Sequence, residues 1–256
     1  MTQARVFAVV PAAGVGRRMG TEQPKQYLAL AGRVLMEWTL DALLANNRIA
    51  RVCVVLAPSD TTFDSLAISH DPRVARAPGG AERCDSVLAG LEYCVAHLDP
   101  SDWVLVHDAA RPCLPLGDLD RLIERCLDDP VGGLLAMPAR DTLKRDDGHG
   151  RVAATIDRHP VWHALTPQMF RLGALRSALL AARARGLVVT DEAQAMELAG
   201  HAPLLVEGSA SNLKVTRPED LRTAASILAQ TSPSLAQRQE SSVFAAPGTG
   251  SPPARG

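Results

Sequence analysis

The sequence lacks the features that mark membrane, secreted and nucleic-acid-binding proteins. Among its 256 residues, no apolar run is long enough to span a bilayer, and the N-terminus does not show the order of basic, apolar and small residues that forms a signal peptide. The 27 basic and 28 acidic side chains leave a formal net charge of -1. We therefore expect no membrane partner, no nucleic-acid partner attracted by bulk charge, and a cytoplasmic location.

The sequence also lacks the cysteine spacing of a metal or disulfide framework. Its five cysteines are Cys53, Cys84, Cys94, Cys113 and Cys126. None of them forms a C-x-x-C pair, and their number is odd. Neither a zinc site nor a set of disulfides is expected.

Short apolar runs alternate with helical patterns along most of the chain. Residues 5–11, 51–58 and 102–108 have the composition of buried strands, whereas residues 35–44 and 84–98 repeat apolar side chains at helical spacing. This alternation predicts an α/β fold, Rossmann-like, with a mainly parallel sheet and flanking helices.

Two segments depart from this alternation. Residues 138–163 form two polar arms around "DDGHG", which predicts a β-hairpin arm projecting from a domain of residues 1–230. An isolated hairpin is only marginally stable, so we expect the arm to contact a second subunit. Residues 231–256 are rich in Ser, Pro, Ala and Gly without periodicity, and they predict a disordered tail.

Three polar clusters follow predicted strands, at residues 11–18, 79–86 and 108–111. Ligands of parallel α/β sheets bind beyond the carboxyl ends of the strands. The three clusters are therefore expected to meet at one binding site.

The first cluster, within "VVPAAGVGRRMG" (residues 9–20), raises the question of which phosphate loop it forms. A P-loop would close on Lys followed by Ser or Thr, which is absent here. A dinucleotide fingerprint would need a shorter spacing than that of Gly14, Gly16 and Gly20, so an NAD-dependent dehydrogenase is the weaker alternative. A glycine turn with Arg18 and Lys25 nearby instead favours a triphosphate, whose charges these cations neutralise.

The motifs of the chain together resemble one enzyme family. "PAAGVGRRM", "PKQY", "GGAERCDSV", "VHDAARP", "RDTLKR", "DRHPVWHALTPQ", "TDEA" and "NLKVTRPEDL" occur in the order typical of the methylerythritol phosphate cytidylyltransferases, which are nucleotidyltransferases with a GT-A-like fold. The resemblance covers about residues 6–229. It implies transfer of the CMP group of CTP to 2-C-methyl-D-erythritol 4-phosphate, with release of pyrophosphate, in non-mevalonate isoprenoid precursor biosynthesis.

The resemblance also implies roles for individual residues. Arg18 and Lys25 are expected to stabilise the developing negative charge, and Arg158 and Lys214 to orient the attacking phosphate. The residues expected to bind CTP are Pro11, Ala12, Ala13, Gly14, Gly16, Gly80, Arg83, Ser86 and Asp108. Those expected to bind methylerythritol phosphate are Arg111, Thr142, Arg158, Thr166 and Thr190. Asp108 is also the expected ligand of Mg²⁺, which prefers oxygen donors.

The family pattern implies a homodimer whose arms complete each other's active sites. Two positions depart from the pattern, since Ala81 and Ser211 stand where acidic residues are usual. Two alternatives remain open: cytidylyl transfer to another alditol phosphate such as ribitol 5-phosphate, and a non-catalytic nucleotide-binding module. No fused cyclase is expected, so we predict one activity.

Overall fold

The computed structural model describes residues 5–14 and 23–231. The predictions made for Gly16, Arg18 and the tail from residue 232 onward lie outside the described residues. Residue 231, which was assigned to the tail, is instead the last residue of a helix.

Seven strands form the central sheet, in the order β11-β7-β10-β6-β1-β4-β5. Neighbouring strands run parallel except at β10, which is antiparallel to both β6 and β7. The strands of the chain are β1 (Val6–Pro11), β2 (Ala29–Leu30), β3 (Arg33–Val34), β4 (Ile49–Leu56), β5 (Val74–Pro78), β6 (Trp103–Val106), β7 (Gly132–Pro138), β8 (Leu143–Asp146), β9 (Val152–Ile156), β10 (Trp162–Arg171) and β11 (Leu204–Glu207). The predicted fold class, an α/β protein with a mainly parallel sheet, is confirmed.

Helices cover both faces of this sheet. They are α1 (Leu35–Leu44), α2 (Arg83–Val95), α3 (Leu116–Leu127), α4 (Leu172–Ala184), α5 (Glu192–Leu198) and α6 (Pro218–Thr231). No helix in the described part of the chain is long and apolar enough to cross a membrane.

The run of apolar residues in β1 follows from its place at the centre of the sheet. Ala8 and Val10 belong to the core cluster that holds α1 and α3, whereas Phe7 and Val9 belong to the cluster that holds α2 and α4. Successive side chains of a strand point to opposite faces. Since both faces are covered by helices, both sets must be apolar, and the alternation seen in half-exposed strands disappears.

The arm is a separate two-stranded antiparallel sheet made of β8 and β9. Its turn contains Gly148 and Gly150, both with positive φ, of 89° and 79°, a conformation that favours glycine. Most of the arm is exposed in the single chain, including Val152, whose relative exposure is 64%. The projecting hairpin is confirmed, although its strands are shorter than the 138–163 segment.

The strand β10 was missed by the sequence analysis. It lies between β6 and β7 and is interrupted by a register shift between Ala164 and Gln168. Pro167 falls within this irregular part of the strand. Because proline cannot donate to a ladder, it usually argues against an internal strand, and the interruption explains how the sheet accommodates it.

Candidate active site

A cleft with a volume of about 310 Å³ opens at the carboxyl edge of the sheet. Its walls come from the segments that follow β1, β5 and β6, and from the loop that precedes α6. The residues that line it are Pro11, Ala12, Ala13, Gly14, Lys25, Gln26, Gly80, Ala81, Glu82, Arg83, Ser86, Asp108, Ala109, Ala110 and Lys214. The cleft thus brings together all the described residues predicted to bind CTP, together with Lys25 and Lys214.

The turn after β1 is held in place by two hydrogen bonds. The Ala12 N–H donates to the Val55 carbonyl at 2.8 Å, so the turn stays in line with β4. The buried amide of Gln26 donates to the Ala12 carbonyl at 2.7 Å. Gln26 therefore holds the turn after β1 in place, next to Lys25. Sequence analysis did not single out Gln26, although it lies within "PKQY".

The turn after β5 needs glycine because other atoms approach it closely. A Cβ at position 79 would lie 2.6 Å from the Ala13 Cβ and 2.9 Å from the Ser86 Oγ. The Gly79 N–H also donates to the Leu56 carbonyl at 2.7 Å. The close approach of Gly79 to Ala13 and Ser86 shows that the N-terminus of α2 packs against the turn after β1. Free N–H groups at a helix N-terminus favour an anionic ligand.

Asp108 is the centre of a cluster of charged side chains. Lys214 Nζ lies 2.7 Å from its Oδ2, and Arg83 Nη2 lies 3.2 Å from its Oδ1. Burial disfavours the charge of this carboxyl, but Arg83 and Lys214 outweigh burial and hold the pKa of Asp108 below its usual range. A third cation, Arg111, has its Nε 3.7 Å from Oδ2, so the cleft contains an ionised carboxylate surrounded by three cations.

A buried hydrogen-bond network supports the backbone at Asp108. The Asp108 N–H donates to Thr166 Oγ1 at 3.0 Å, and the Thr166 hydroxyl lies 3.0 Å from His107 Nδ1. His107 Nε2 lies 3.3 Å from the Arg111 carbonyl, which can only accept. This pattern assigns the proton of a neutral imidazole to Nε2. Burial lowers the pKa of His107 to about 4, so the ring is uncharged near neutral pH.

Two residues predicted to bind methylerythritol phosphate lie behind the cleft. The Thr166 hydroxyl is buried and engaged in the network just described. Arg111 is also buried, and its Nη1 donates to the Asn212 carbonyl at 2.7 Å. Asn212 in turn donates from its side chain to the Thr166 carbonyl at 2.8 Å. These groups hold the loop that carries Lys214.

The other three residues predicted to bind methylerythritol phosphate are exposed and do not line the cleft of the single chain. Thr142 and Arg158 lie on the arm or at its base, and Arg158 donates to the Arg140 carbonyl. Thr190 lies in the loop before α5, where its N–H donates to Gln194 Oε1 at 2.7 Å.

The two departures from the family pattern occupy different places. Ala81 lines the cleft. Ser211 instead lines a neighbouring groove between α1 and α6, together with Trp38 and Pro112. Only the substitution at position 81 therefore changes the wall of the cleft described above.

Within residues 5–14 and 23–231, no three side chains of His, Cys, Asp or Glu are grouped so that they could hold a metal ion. Asp108 is the carboxylate at the base of the cleft, and a second one, Glu82, lies on its wall. A metal at Asp108 would therefore need most of its ligands from a bound substrate or from water.

Glu192 is a further residue that sequence analysis missed. It is buried, and its Oε1 lies 2.6 Å from Arg83 Nη1. Glu192 and Asp108 outweigh the cost of burying the guanidinium and raise the pKa of Arg83. The motif "TDEA" could have indicated Glu192, because it places this residue two positions after Thr190, which was predicted to bind substrate.

Comparison with known proteins places this chain within one family. Residues 6–230 match the family model of 2-C-methyl-D-erythritol 4-phosphate cytidylyltransferase. A protein of that name from Pseudomonas putida (strain GB-1) is 58% identical over 216 residues, which are 84% of this chain and 92% of the relative. One from Pseudomonas aeruginosa (strain UCBPP-PA14) has the same identity and coverage.

Solved structures agree with the sequence relatives. A crystal structure of 4-diphosphocytidyl-2C-methyl-D-erythritol synthase is 36% identical, with a TM-score of 0.77, and the match covers 88% of this chain and 99% of the other. The Francisella tularensis 2-C-methyl-D-erythritol 4-phosphate cytidylyltransferase is 32% identical, also with a TM-score of 0.77, and the match covers 88% and 100%. The chain therefore belongs to the 2-C-methyl-D-erythritol 4-phosphate cytidylyltransferase family.

Proposed function

We propose that the chain transfers the cytidylyl group of CTP to 2-C-methyl-D-erythritol 4-phosphate, giving 4-diphosphocytidyl-2-C-methyl-D-erythritol and pyrophosphate. The activity serves isoprenoid precursor biosynthesis by the non-mevalonate pathway. Family membership carries this proposal, and the cleft supports it. Two glycine-containing turns, a helix N-terminus and two lysines line the same cleft, and each of these groups favours a bound phosphate. Family membership also removes the dehydrogenase alternative.

The mechanism follows from the charges of the cleft. A phosphate oxygen of the second substrate attacks the α-phosphorus of CTP, and the bond to the leaving pyrophosphate breaks in line with it. The attacking oxygen is already an anion, so no protein nucleophile or general base is needed. Lys25 and Lys214 line the cleft and are placed to bind the phosphates and to stabilise the negative charge that gathers as pyrophosphate leaves.

His107 takes no part in proton transfer in this mechanism. Its ring is buried, neutral and hydrogen-bonded to Thr166 and the Arg111 carbonyl. It acts instead by holding the backbone at Asp108.

Asp108 fits the chemistry of a Mg²⁺ ligand. Mg²⁺ is commonly bound by one or two carboxylates together with substrate phosphates and waters, and Asp108 offers one ionised carboxylate at the base of the cleft. Bound there with CTP, the ion would neutralise phosphate charge. Lys214 and Arg83 now occupy both oxygens of Asp108, so these contacts would rearrange when the ion binds.

A homodimer with shared active sites accounts for the residues that the single chain leaves outside the cleft. The arm carries Thr142 and stands away from the sheet, with Val152 largely exposed on it. An isolated two-stranded hairpin is only marginally stable in water, which favours coverage of the arm by a second copy. In such a dimer, Thr142 and Arg158 of one protomer would complete the methylerythritol phosphate half of the partner's cleft.

A pyrophosphate-release assay tests the function. With CTP and 2-C-methyl-D-erythritol 4-phosphate the chain should release pyrophosphate, and ribitol 5-phosphate should be a much poorer acceptor. A preference for ribitol 5-phosphate would overturn the substrate assignment. CTP binding without pyrophosphate release from either acceptor would instead indicate a non-catalytic nucleotide-binding module.

A further inference from the structure

We propose that Glu192 is a positioning residue, which holds the Arg83 guanidinium in the orientation needed to bind CTP. The inference rests on the proposed function and deepens it. Glu192 does not line the cleft. It is buried, with 1% of its surface exposed, and its carboxylate contacts Arg83, the first residue of α2.

The contact between the two side chains has a fixed geometry. Arg83 Nη1 donates to Glu192 Oε1 at 2.6 Å, and Nη2 donates to Oε2 at 3.1 Å. Such a two-pronged pair defines both the distance and the plane of a guanidinium, which a single hydrogen bond does not. The two residues are 109 positions apart in the sequence, so the pair is made by the tertiary fold.

The edge of the guanidinium that carries Nε points to the base of the cleft. Arg83 Nε donates to Asp108 Oδ1 at 3.3 Å. Arg83 thus lies between two carboxylates, one inside the cleft and one outside it. When CTP or a metal ion takes over Asp108, Glu192 is the partner that keeps the guanidinium in place.

Glu192 is itself held on a rigid support. Asp191 caps α5 by accepting from the Gln194 N–H at 2.9 Å. Gln168 of β10 donates to Asp191 Oδ2 at 3.0 Å and accepts from the Ala193 N–H at 2.7 Å. The carboxylate is therefore fixed to the central sheet, which is the condition for orienting a second side chain accurately.

A purely structural ion pair would have a different signature. Buried pairs often contribute little net stability, so burial alone does not reveal their role. A structural role for Glu192 predicts a lower melting temperature with unchanged affinity for CTP. A positioning role predicts a loss of CTP affinity in a protein that is still folded.

The experiment compares Glu192→Gln with Glu92→Gln. The control removes a carboxylate from an exposed Arg–Glu pair, that of Glu92 and Arg176 at 2.7 Å, which also joins α2 to another helix. CTP binding is measured by isothermal titration calorimetry without metal, and KM is measured for each substrate with Mg²⁺. We expect Glu192→Gln to weaken CTP binding by about 10-fold or more, the lower end of the effect known for losing the hydrogen-bond partner of a metal-binding side chain. The control and the KM for methylerythritol phosphate should stay near wild-type values.

A double-mutant cycle with Arg83→Gln tests whether Glu192 acts through Arg83. If it does, Glu192→Gln adds no further loss of CTP affinity in the Arg83→Gln background. Additive losses would overturn the proposal, and so would unchanged CTP affinity in Glu192→Gln. If Glu192→Gln does not fold, Glu192→Asp replaces it, since the shorter carboxylate keeps the charge and displaces the guanidinium. A wild-type chain that binds no CTP would contradict the proposed function itself.

Discussion

The cleft and the arm are built in opposite ways. In the cleft, Asp108 is tied to Arg83 and Lys214, and its backbone rests on Thr166. On the arm, Arg158 bonds to the nearby Arg140 carbonyl, and Thr142 is exposed to solvent. One chain therefore brings together the described residues predicted to bind CTP, whereas Thr142 and Arg158, predicted to bind the second substrate, lie outside the cleft. In the dimer proposed above, a second copy would supply them.

This difference has a physical cause. Charges in the cleft are partly shielded from water. Each one therefore needs a partner in the protein, and the folded chain supplies these partners from several strands. The arm is solvated, so water can satisfy its charged groups, and the contacts between them contribute little to stability.

The largest effect is expected when the cleft loses a cation. Lys25→Ala should lower kcat by ~10²-fold or more, because the charge that develops on the phosphates loses a donor. Steady-state assays of pyrophosphate release measure this change. Unchanged turnover would mean that the triphosphate does not lie against the turn after β1.

Mixed dimers test whether the arm belongs to the partner's site. Arg158→Ala and Lys25→Ala subunits are each expected to be nearly inactive, but one of the two sites in a mixed dimer would contain neither change. After random exchange of subunits, activity should return to about a quarter of the wild-type value, since half of the dimers are mixed. No recovery in dimers shown to be mixed would contradict shared sites.

The support beneath the cleft is tested by His107→Gln. The variant should be less stable by about 1–3 kcal/mol at pH 7, because part of the buried hydrogen-bond network is lost. Chemical denaturation at several pH values measures the free energy of unfolding.

The free energy of unfolding of the wild type is expected to depend on pH through His107. The folded chain keeps His107 neutral down to about pH 4, whereas the unfolded chain takes up a proton below about 6.5. Wild-type stability should therefore fall by about 3 kcal/mol between pH 6.5 and pH 4. His107→Gln lacks this loss, so the difference between the two proteins should shrink as the pH falls. A constant difference would show that His107 does not titrate in this way.

The smallest effect is expected from thiol labelling. Burial raises the pKa of Cys53, Cys94, Cys113 and Cys126 to about 12, so these thiols should react only on unfolding. Cys84 is half-buried next to Arg83, and burial also raises the pKa of its thiol. At pH 8 it should react slowly, and CTP should slow it further. Fast labelling of any of the four buried cysteines in the folded protein would mean that the core opens more readily than this burial indicates.

Local patterns predicted α1 and most of α2. The helix α1 begins and ends at the predicted residues, and α2 begins one residue before the predicted range but ends at Val95 rather than at residue 98. Among the apolar side chains of α2, Val87, Leu88 and Leu91 are buried, whereas Val95 is 47% exposed and Cys94 is buried instead.

The start of α6 shows the limit of a local signal. Thr216 precedes this helix and is of a residue type that often caps helices, but its hydroxyl donates to Asp220 Oδ2 at 3.0 Å. Asp220 also accepts from the N–H groups of Thr216 and Arg217. The helix start is therefore closed by a carboxylate that reaches back from within the first turn, which the residue order alone did not distinguish from an N-cap.

The sequence by itself determined the α/β class, the family and the segments that meet at the cleft, because periodicity, turn residues and motifs are local properties of a chain. Only the tertiary structure decided which polar groups face the cleft and which support it. Arg111 and Thr166 turned out to lie behind Asp108, and Glu192 was joined to Arg83 across 109 residues. Partners of buried charges are selected by the packing of distant strands, and no spacing along the sequence encodes that choice.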